Sequence, residues 1–435
     1  MNKTVFALML LVGLSVVIVA CGSKSSSTQH KASGIAFRAF VSNSLFPSGG
    51  IDTPVLNIVN ASDDLLSPSI VSLLSAVAQA QMMAVSPNLD LTMVFSLSSN
   101  SIAIVDNTAE TVANVSGSTS VLPGIALPGM TESMFIANDN ITGYVAVPSA
   151  PVTGSPNGAV LQINLGTGAI SAIIPVAAAH YIVPSPDGTR ILTFSDNSDD
   201  VTVIATGAIG SQTDPRTVIT GTATNHFDRP VWAIFTGNTT AEIFNCGPEC
   251  GGTTAGITPY TLGTSAPGAN LALSGATYGL LVNSTLYVAG TPPNTPCGLG
   301  TAAKTCGTLN LVDINSMQRT AGPYIIPDGF HNRMQMGSLG QLFVGSRSCT
   351  SINNSSEVRG CLAIFNTANA QVIVPPQTGD ATGIQPIPGR NVVYVCEGGA
   401  FTIYDTTTDQ QLVQNIVTDI VGQSYDVKLV DPPTN

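Results

Sequence analysis

The chain has 435 residues, of which only 9% are charged, too few to give long amphipathic helices their charged exposed faces. The formal net charge is −12 and no basic run is interleaved with aromatic residues, so we do not expect nucleic acid as a partner. Abundant Gly, Pro and β-branched residues instead predict an all-β protein with many short strands.

The chain begins with a segment typical of a secretory signal peptide, residues 1–20. Lys3 is followed by an apolar run over residues 5–19, which is short for a membrane-spanning helix. The run ends in Val-Ile-Val-Ala before Cys21 and resembles a bacterial lipobox. This resemblance implies cleavage before Cys21 and a diacylglycerol group on its sulfur. The alternatives are an ordinary secretory cleavage or a buried cysteine.

Residues 21–34 are rich in Ser and have no apolar periodicity, so they predict a flexible tether after the lipidated Cys21. No Asp follows Cys21, and in the lipoproteins of two-membrane bacteria this implies the outer membrane. We therefore expect a location in the bacterial cell envelope, with residues 35–435 held at the membrane by the lipid.

Units of four short strands recur along residues 35–435, and the clearest copy covers residues 180–207. Eight units can be counted; seven is the alternative, because the first and fifth are irregular. The first unit lacks an inner strand, while an unpaired strand remains at residues 424–430. We expect these two parts to complete one blade, which would close the ring and cover its sheet edges.

Several units resemble YVTN-type propeller repeats, which carry Tyr-Val-Thr-Asn in the second strand. The second-strand matches are Phe40-Val41-Ser42-Asn43, Tyr287-Val288-Ala289, Phe343-Val344-Gly345 and Tyr394-Val395-Cys396. The third-strand matches, which end in Asp, are Ile104-Val105-Asp106, Leu311-Val312-Asp313 and Ile403-Tyr404-Asp405. This lactonase-like resemblance implies a single β-propeller domain of four-stranded blades. The alternative is a β-sandwich with accidental similarity between its parts.

Six of the remaining cysteines fall in three pairs, each in the loop between the second and third strands of units five, six and seven. The pairs are Cys246 with Cys250, Cys297 with Cys306, and Cys349 with Cys361. In an oxidising compartment they predict three local disulfides, each worth about 2–3 kcal/mol. The alternative is thiolate ligation of a metal, although the pairs lie on different blades. Cys396 lies in a strand among apolar neighbours and predicts a buried free thiol.

Polar residues gather where the inner strands begin, on the face that also carries the cysteine loops. They are Glu132, His180, His226, Asp228, Arg229, His331, Arg333 and Asp426. Imidazoles that converge on a channel mouth bind metals or act as acid and base. The alternative is that exposed connecting segments are polar without being functional. We assign no catalytic residue, metal or cofactor.

These features predict a membrane-anchored binding or scaffold module. Its loop-rich face would bind an envelope protein, a peptide or a glycan. The alternative is an enzyme at the channel mouth, either a lactonase-like hydrolase or a metal-dependent oxidoreductase. Binding is favoured because the sequence has no Gly-x-Ser-x-Gly elbow, Walker loop or His-Glu-x-x-His motif. Residue 36 is expected on the opposite face, which the lipid would hold toward the membrane.

Overall fold

The computed structural model describes residues 31–48, 51–73, 76–297, 305–350, 353–354, 357–358, 360–412 and 420–433. The regular structure in these ranges is β-strand, apart from two 3-10 turns at Thr206–Ala208 and Gly247–Cys250. None of the described residues forms a helix long and apolar enough to cross a membrane. The predicted signal peptide, Cys21 and the first part of the tether lie outside the described residues.

The strands form eight antiparallel blades, numbered here 1–8 in chain order. Seven blades have four strands, blade 2 has four and a short fifth strand, and a two-stranded hairpin lies in a loop of blade 7. Blade 1 contains β1 (Arg38–Ser48), β2 (Ile51–Asn60) and β3 (Leu65–Ser72); blade 2 contains β4 (Met83–Val85), β5 (Leu91–Ser96), β6 (Ser101–Asp106), β7 (Thr111–Val112) and the short β8 (Ile125–Ala126). Blade 3 contains β9 (Ser133–Ile136), β10 (Thr142–Val147), β11 (Ala159–Asn164) and β12 (Ala169–Pro175); blade 4 contains β13 (Ala179–Pro184), β14 (Arg190–Ser195), β15 (Val201–Ala205) and β16 (Arg216–Ile219).

The second half of the ring repeats this arrangement. Blade 5 contains β17 (Pro230–Phe235), β18 (Thr240–Asn245), β19 (Gly256–Thr261) and β20 (Leu271–Ala272); blade 6 contains β21 (Tyr278–Val282), β22 (Thr285–Gly290), β23 (Gly307–Asp313) and β24 (Gln318–Ile326). Blade 7 contains β25 (Phe330–Met336), β26 (Gln341–Arg347), the loop hairpin β27 (Asn353–Asn354) and β28 (Glu357–Val358), then β29 (Leu362–Asn366) and β30 (Gln371–Ile373); blade 8 contains β31 (Ala381–Pro386), β32 (Val392–Glu397), β33 (Ala400–Asp405) and β34 (Gln410–Gln411). The prediction of eight blades is confirmed.

The last strand, β35 (Ser424–Leu429), is the inner strand of blade 1. It pairs with β1 in antiparallel register, with Leu429 opposite Ala39 and Ser424 opposite Asn43. The predicted closure by the two ends of the chain is therefore confirmed. Each inner strand contacts the next around the ring, and β31 contacts β35. The start of β1 lies on the face opposite the mouth, which we define as the face where the inner strands begin.

The hydrophobic cores lie between neighbouring blades. The second strand of a blade is sandwiched between two other blades, and all six residues of β32 are buried. Such strands are apolar on both faces because each face packs against a neighbour. This packing keeps the inner strands in a fixed ring around the axis.

A buried ion-pair cluster lies where the two ends of the chain close the ring. Arg38 is 1% exposed, and its Nε and Nη2 donate to the carboxylate of Asp431 at 2.8 and 2.9 Å. Its Nη1 donates to Glu110 of blade 2 at 2.5 Å. Lys31 also pairs with Asp431, and the Ser33 hydroxyl donates to Glu110. The end of the predicted tether is thus packed against the ring.

The three predicted disulfides are confirmed. They join Cys246 to Cys250, Cys297 to Cys306, and Cys349 to Cys361. Each lies between the second and third strands of its blade, on the mouth face. Cys396 on β32 is a buried free thiol.

Candidate functional site

The eight inner strands surround a cavity of about 370 Å³ on the axis of the ring. All eight blades contribute to its wall. Most of the lining is apolar, and its aromatic members are Phe135, Tyr181, Trp232, Tyr278 and Phe330. Its thioethers come from Met82, Met83, Met134 and Met334. Pockets for small ligands are typically concave and mostly apolar with a few placed polar groups, and this cavity has that composition.

Several inner strands carry a β-bulge near the mouth. In blade 4 the register between β13 and β14 shifts at His180, and in blade 7 the register between β25 and β26 shifts at Asn332. A bulge adds one residue to a strand and changes where the neighbouring side chains point. Asn332 and Arg333, at this shift, both line the cavity.

A chain of charged side chains crosses the mouth. Asp196 Oδ1 lies 2.6 Å from Nδ1 of His180, whose Nε2 lies 3.2 Å from Oε2 of Glu132. Arg347 Nη2 donates to this same oxygen at 2.5 Å, and the Tyr181 hydroxyl donates to it at 3.2 Å. Glu132 precedes β9 of blade 3, whereas Arg347 ends β26 of blade 7. These two blades face each other in an eight-membered ring, so the ion pair spans the axis.

The contacts at the mouth determine its charge state. Burial disfavours the charged form of His180, but the hydrogen bonds with Asp196 and Glu132 outweigh it and raise the pKa of His180 to about 9. Burial also disfavours the Glu132 carboxylate, yet its bonds to His180 and Arg347 hold the Glu132 pKa well below its usual range. At neutral pH the mouth therefore combines an imidazolium and a guanidinium with two carboxylates, and His180 is a proton donor.

The three histidines predicted for the mouth occupy different environments. His331 is buried, its Nε2 donates to the carbonyl of Pro327 at 3.0 Å, and burial lowers the pKa of His331 to about 4. His226 lines a separate depression beside Asp228. Of these three histidines, only His180 contacts Glu132 in the described structure. Within the described ranges, no group of three or more His, Cys, Asp or Glu side chains is placed to hold a metal ion.

Two of the predicted polar residues support loops of the mouth face. The Asp228 carboxylate accepts hydrogen bonds from the backbone N–H and the hydroxyl of Thr253, which follows the disulfide turn of blade 5. The backbone N–H of Arg229 donates to Asp199 of blade 4 at 3.0 Å, and the two side chains lie 3.7 Å apart. These contacts fix the blade 5 loop and link it to its neighbour.

Arg333 and Asp426 belong to the cavity wall. The Asp426 carboxylate accepts a hydrogen bond from the backbone N–H of Met83 at 2.9 Å and pairs with Lys428 at 3.2 Å. Arg333 Nε donates to the carbonyl of Thr382 at 3.1 Å. Of the residues predicted from the sequence, Glu132, His180, Arg333 and Asp426 thus lie at the mouth or in the cavity below it.

Three members of this site were not predicted from the sequence: Asp196, Tyr181 and Arg347. The signal for Arg347 is positional, because second strands end on the face where inner strands begin. Tyr181 and Asp196 flank His180 in the strand and in the following turn, where polar and aromatic residues are common.

A scan against models of protein families finds no match to the chain, and a search of curated proteins also finds none. Among solved structures, dihydro-heme d1 dehydrogenase NirN in complex with DHE is similar with a TM-score of 0.58 at 10% identity, over 91% of this chain and 75% of that chain. Periplasmic gluconolactonase PpgL of Pseudomonas aeruginosa is similar with a TM-score of 0.48 at 14% identity, over 91% of this chain and 99% of that chain. At these identities the likeness concerns the fold.

Proposed function

We propose that this protein is a lipid-anchored β-propeller of the bacterial envelope that binds its ligand in the central cavity beneath the loop-rich mouth face. The observation that carries the proposal is the cavity itself, about 370 Å³ in volume and walled by aromatic and thioether side chains from a rigid ring. Its volume lies at the lower end of the usual range for ligand pockets, about 300–1,000 Å³. A glycan unit, a peptide end or another small molecule therefore fits its dimensions.

The proposed orientation follows from the two faces of the ring. The chain enters β1 on the face opposite the mouth, since Ala39 pairs with the last residue of β35. A lipid on Cys21 would hold that face toward the membrane, and the mouth with its three disulfide loops would face a partner. An outer-membrane location is part of this proposal. Replacing Cys21 by Ala should move the protein from the membrane to the soluble fraction, and unchanged membrane association would contradict the anchor.

Thermal unfolding with a panel of sugars, peptides and organic acids tests binding in the cavity. Ligands that bind only the folded state raise the melting temperature. We expect some members to stabilise the detergent-solubilised full-length protein and to lose this effect in Ala84→Trp, which places a bulky side chain at a cavity-lining position. Ala126→Trp on the outer strand β8 is the matched control and should keep it. If every effective compound still stabilised Ala84→Trp, the ligand would bind elsewhere.

An enzyme at the same mouth is the second candidate, favoured by the hydrogen-bonded chain Asp196–His180–Glu132. A protonated imidazole beside a carboxylate can donate a proton to a leaving group, as a lactonase-like hydrolase requires. Ring opening of a lactone panel, followed by proton release, tests it. Turnover that is lost in His180→Gln would support the enzyme, and no turnover with bound ligands would leave binding as the function.

A further inference from the structure

One charged side chain on the cavity wall has no ion-pair partner among the described residues. Four charged residues line the cavity, and three of them have a partner of opposite charge. Glu132 pairs with Arg347, and Asp426 pairs with Lys428. Arg333 has no carboxylate partner in the part of the chain that the structure describes. Arg333 is therefore the charged group of the wall that no described carboxylate pairs with.

The hydrogen bonds of Arg333 leave part of its guanidinium available. Its Nε donates to the carbonyl of Thr382 and its Nη1 donates to the carbonyl of Asn332, at 3.1 and 2.9 Å. Its Nη2 makes no hydrogen bond to any described residue. The two carbonyls fix the plane of the group, and Nη2 remains available on a side chain that lines the cavity. A planar fork of N–H donors matches the two oxygens of a carboxylate.

The remaining wall suits an apolar body. The rings of His180 and Tyr181 stack with centroids 4.1 Å apart, and Phe330 continues the row at 6.1 Å from Tyr181, nearly parallel. Trp232 and Tyr278 form a second pair with centroids 4.9 Å apart. Aromatic surfaces of this kind bind flat or aliphatic groups by contact and exclude water.

We propose that the cavity binds a small organic acid with one negative charge and an apolar or aromatic body. The carboxylate pairs with Arg333, and the body packs against the stacked rings. This assignment rests on the proposed function, since it names the ligand class of the same cavity. The single charge of such an acid balances the single unpaired charge of the wall.

Calorimetric titration of the full-length protein tests this with 3-phenyllactate, its neutral analogue 3-phenyllactamide, and 3-phenylpropanoate, which lacks the hydroxyl. 4-Hydroxyphenylacetate and indole-3-lactate extend the panel to other bodies. We expect at least one acid to bind more than tenfold tighter than the amide. Arg333→Gln should abolish this preference, and Arg333→Lys should keep part of it, because it retains the charge without the fork.

Arg319→Gln is the control, because Arg319 is exposed on β24 away from the cavity, and it should bind as the wild type does. Equal affinity for acid and amide, or an acid preference that survives Arg333→Gln, would overturn the assignment. If neutral sugars or the amide bound to the wild type but not to Ala84→Trp, binding in the cavity would be supported and only the ligand class would be wrong. If no acid bound, and no compound of the wider panel lost binding in Ala84→Trp, both the ligand class and binding in the cavity would be wrong.

Discussion

At the scale of single residues, Glu397 is a carboxyl group that the fold keeps neutral. It is fully buried at the end of β32, the Tyr404 hydroxyl donates to its Oε2 at 3.1 Å, and its Oε1 has no partner in the described structure. Burial, which outweighs the hydrogen bonds from Tyr404 and Leu362, raises the pKa of Glu397 from 4.5 to about 8. A protonated carboxyl group avoids a buried unpaired charge.

This pKa shift makes stability depend on pH. Between pH 4.5 and about 8 the folded state keeps a proton on Glu397 that the unfolded chain has released, so stability falls as pH rises through this window. His180 adds to the loss between 6.5 and about 9, because its folded pKa is also raised. We expect the wild type to lose unfolding free energy from pH 5 to pH 8, and Glu397→Gln to lose distinctly less. Urea denaturation at each pH measures this, and equal losses would mean that Glu397 is ionised in the fold.

At the scale of elements, two acidic residues at the mouth hold the disulfide loops to the inner strands. Asp228 before β17 binds Thr253, and Asp328 before β25 accepts from the backbone N–H of Thr350 at 2.8 Å and from its hydroxyl. Asp328 is buried, and each contact joins the start of an inner strand to the loop between second and third strands of the same blade. The disulfides therefore act together with these contacts to shape the mouth.

Removing the Asp328 carboxylate should loosen its loop. Asp328→Ala leaves a part-buried N–H without its acceptor, and we expect a loss of about 1–3 kcal/mol in unfolding free energy. The Thr350 amide should exchange hydrogen faster. Asp405→Ala is the matched control, because Asp405 binds the N–H and hydroxyl of Thr407 on an exposed turn, and its loss should be within about 0.5 kcal/mol. Equal losses in the two variants would contradict a special role for the mouth contact.

The elements were predictable from sequence to different degrees. Turn residues and β-strand alternation predicted the blades, and the unpaired strand at residues 424–430 predicted the closure of the ring. Both signals are local in the sequence. Glu132 and His180 were placed at the mouth from strand order alone. Arg347 was not, because it lies 215 positions from Glu132 in the sequence and meets it only in the closed ring. His226 and His331 shared the sequence position of His180 but not its surroundings, which depend on packing between blades.

At the scale of the whole molecule, the ring is fastened where its two ends meet. Arg38 joins the first strand to Asp431 after the last strand and to Glu110 of the next blade. Removing one partner of a buried ion-pair cluster leaves the opposite charges unpaired, so Arg38→Met should lose about 3–5 kcal/mol of unfolding free energy. Arg216→Met breaks the exposed pair with Asp214 and should lose at most about 1 kcal/mol. Denaturant unfolding compares the two, and a similar small loss in both would mean that the closure does not depend on Arg38.

We propose that this propeller binds its ligand in the axial cavity and not on the loops around it. A crystal structure of the full-length protein with the most strongly stabilising compound would show directly where the compound binds. We predict density for the compound between Arg333 and the stacked rings of Tyr181 and Phe330. Density for the compound on the disulfide loops, with the cavity filled only by water, would contradict the account.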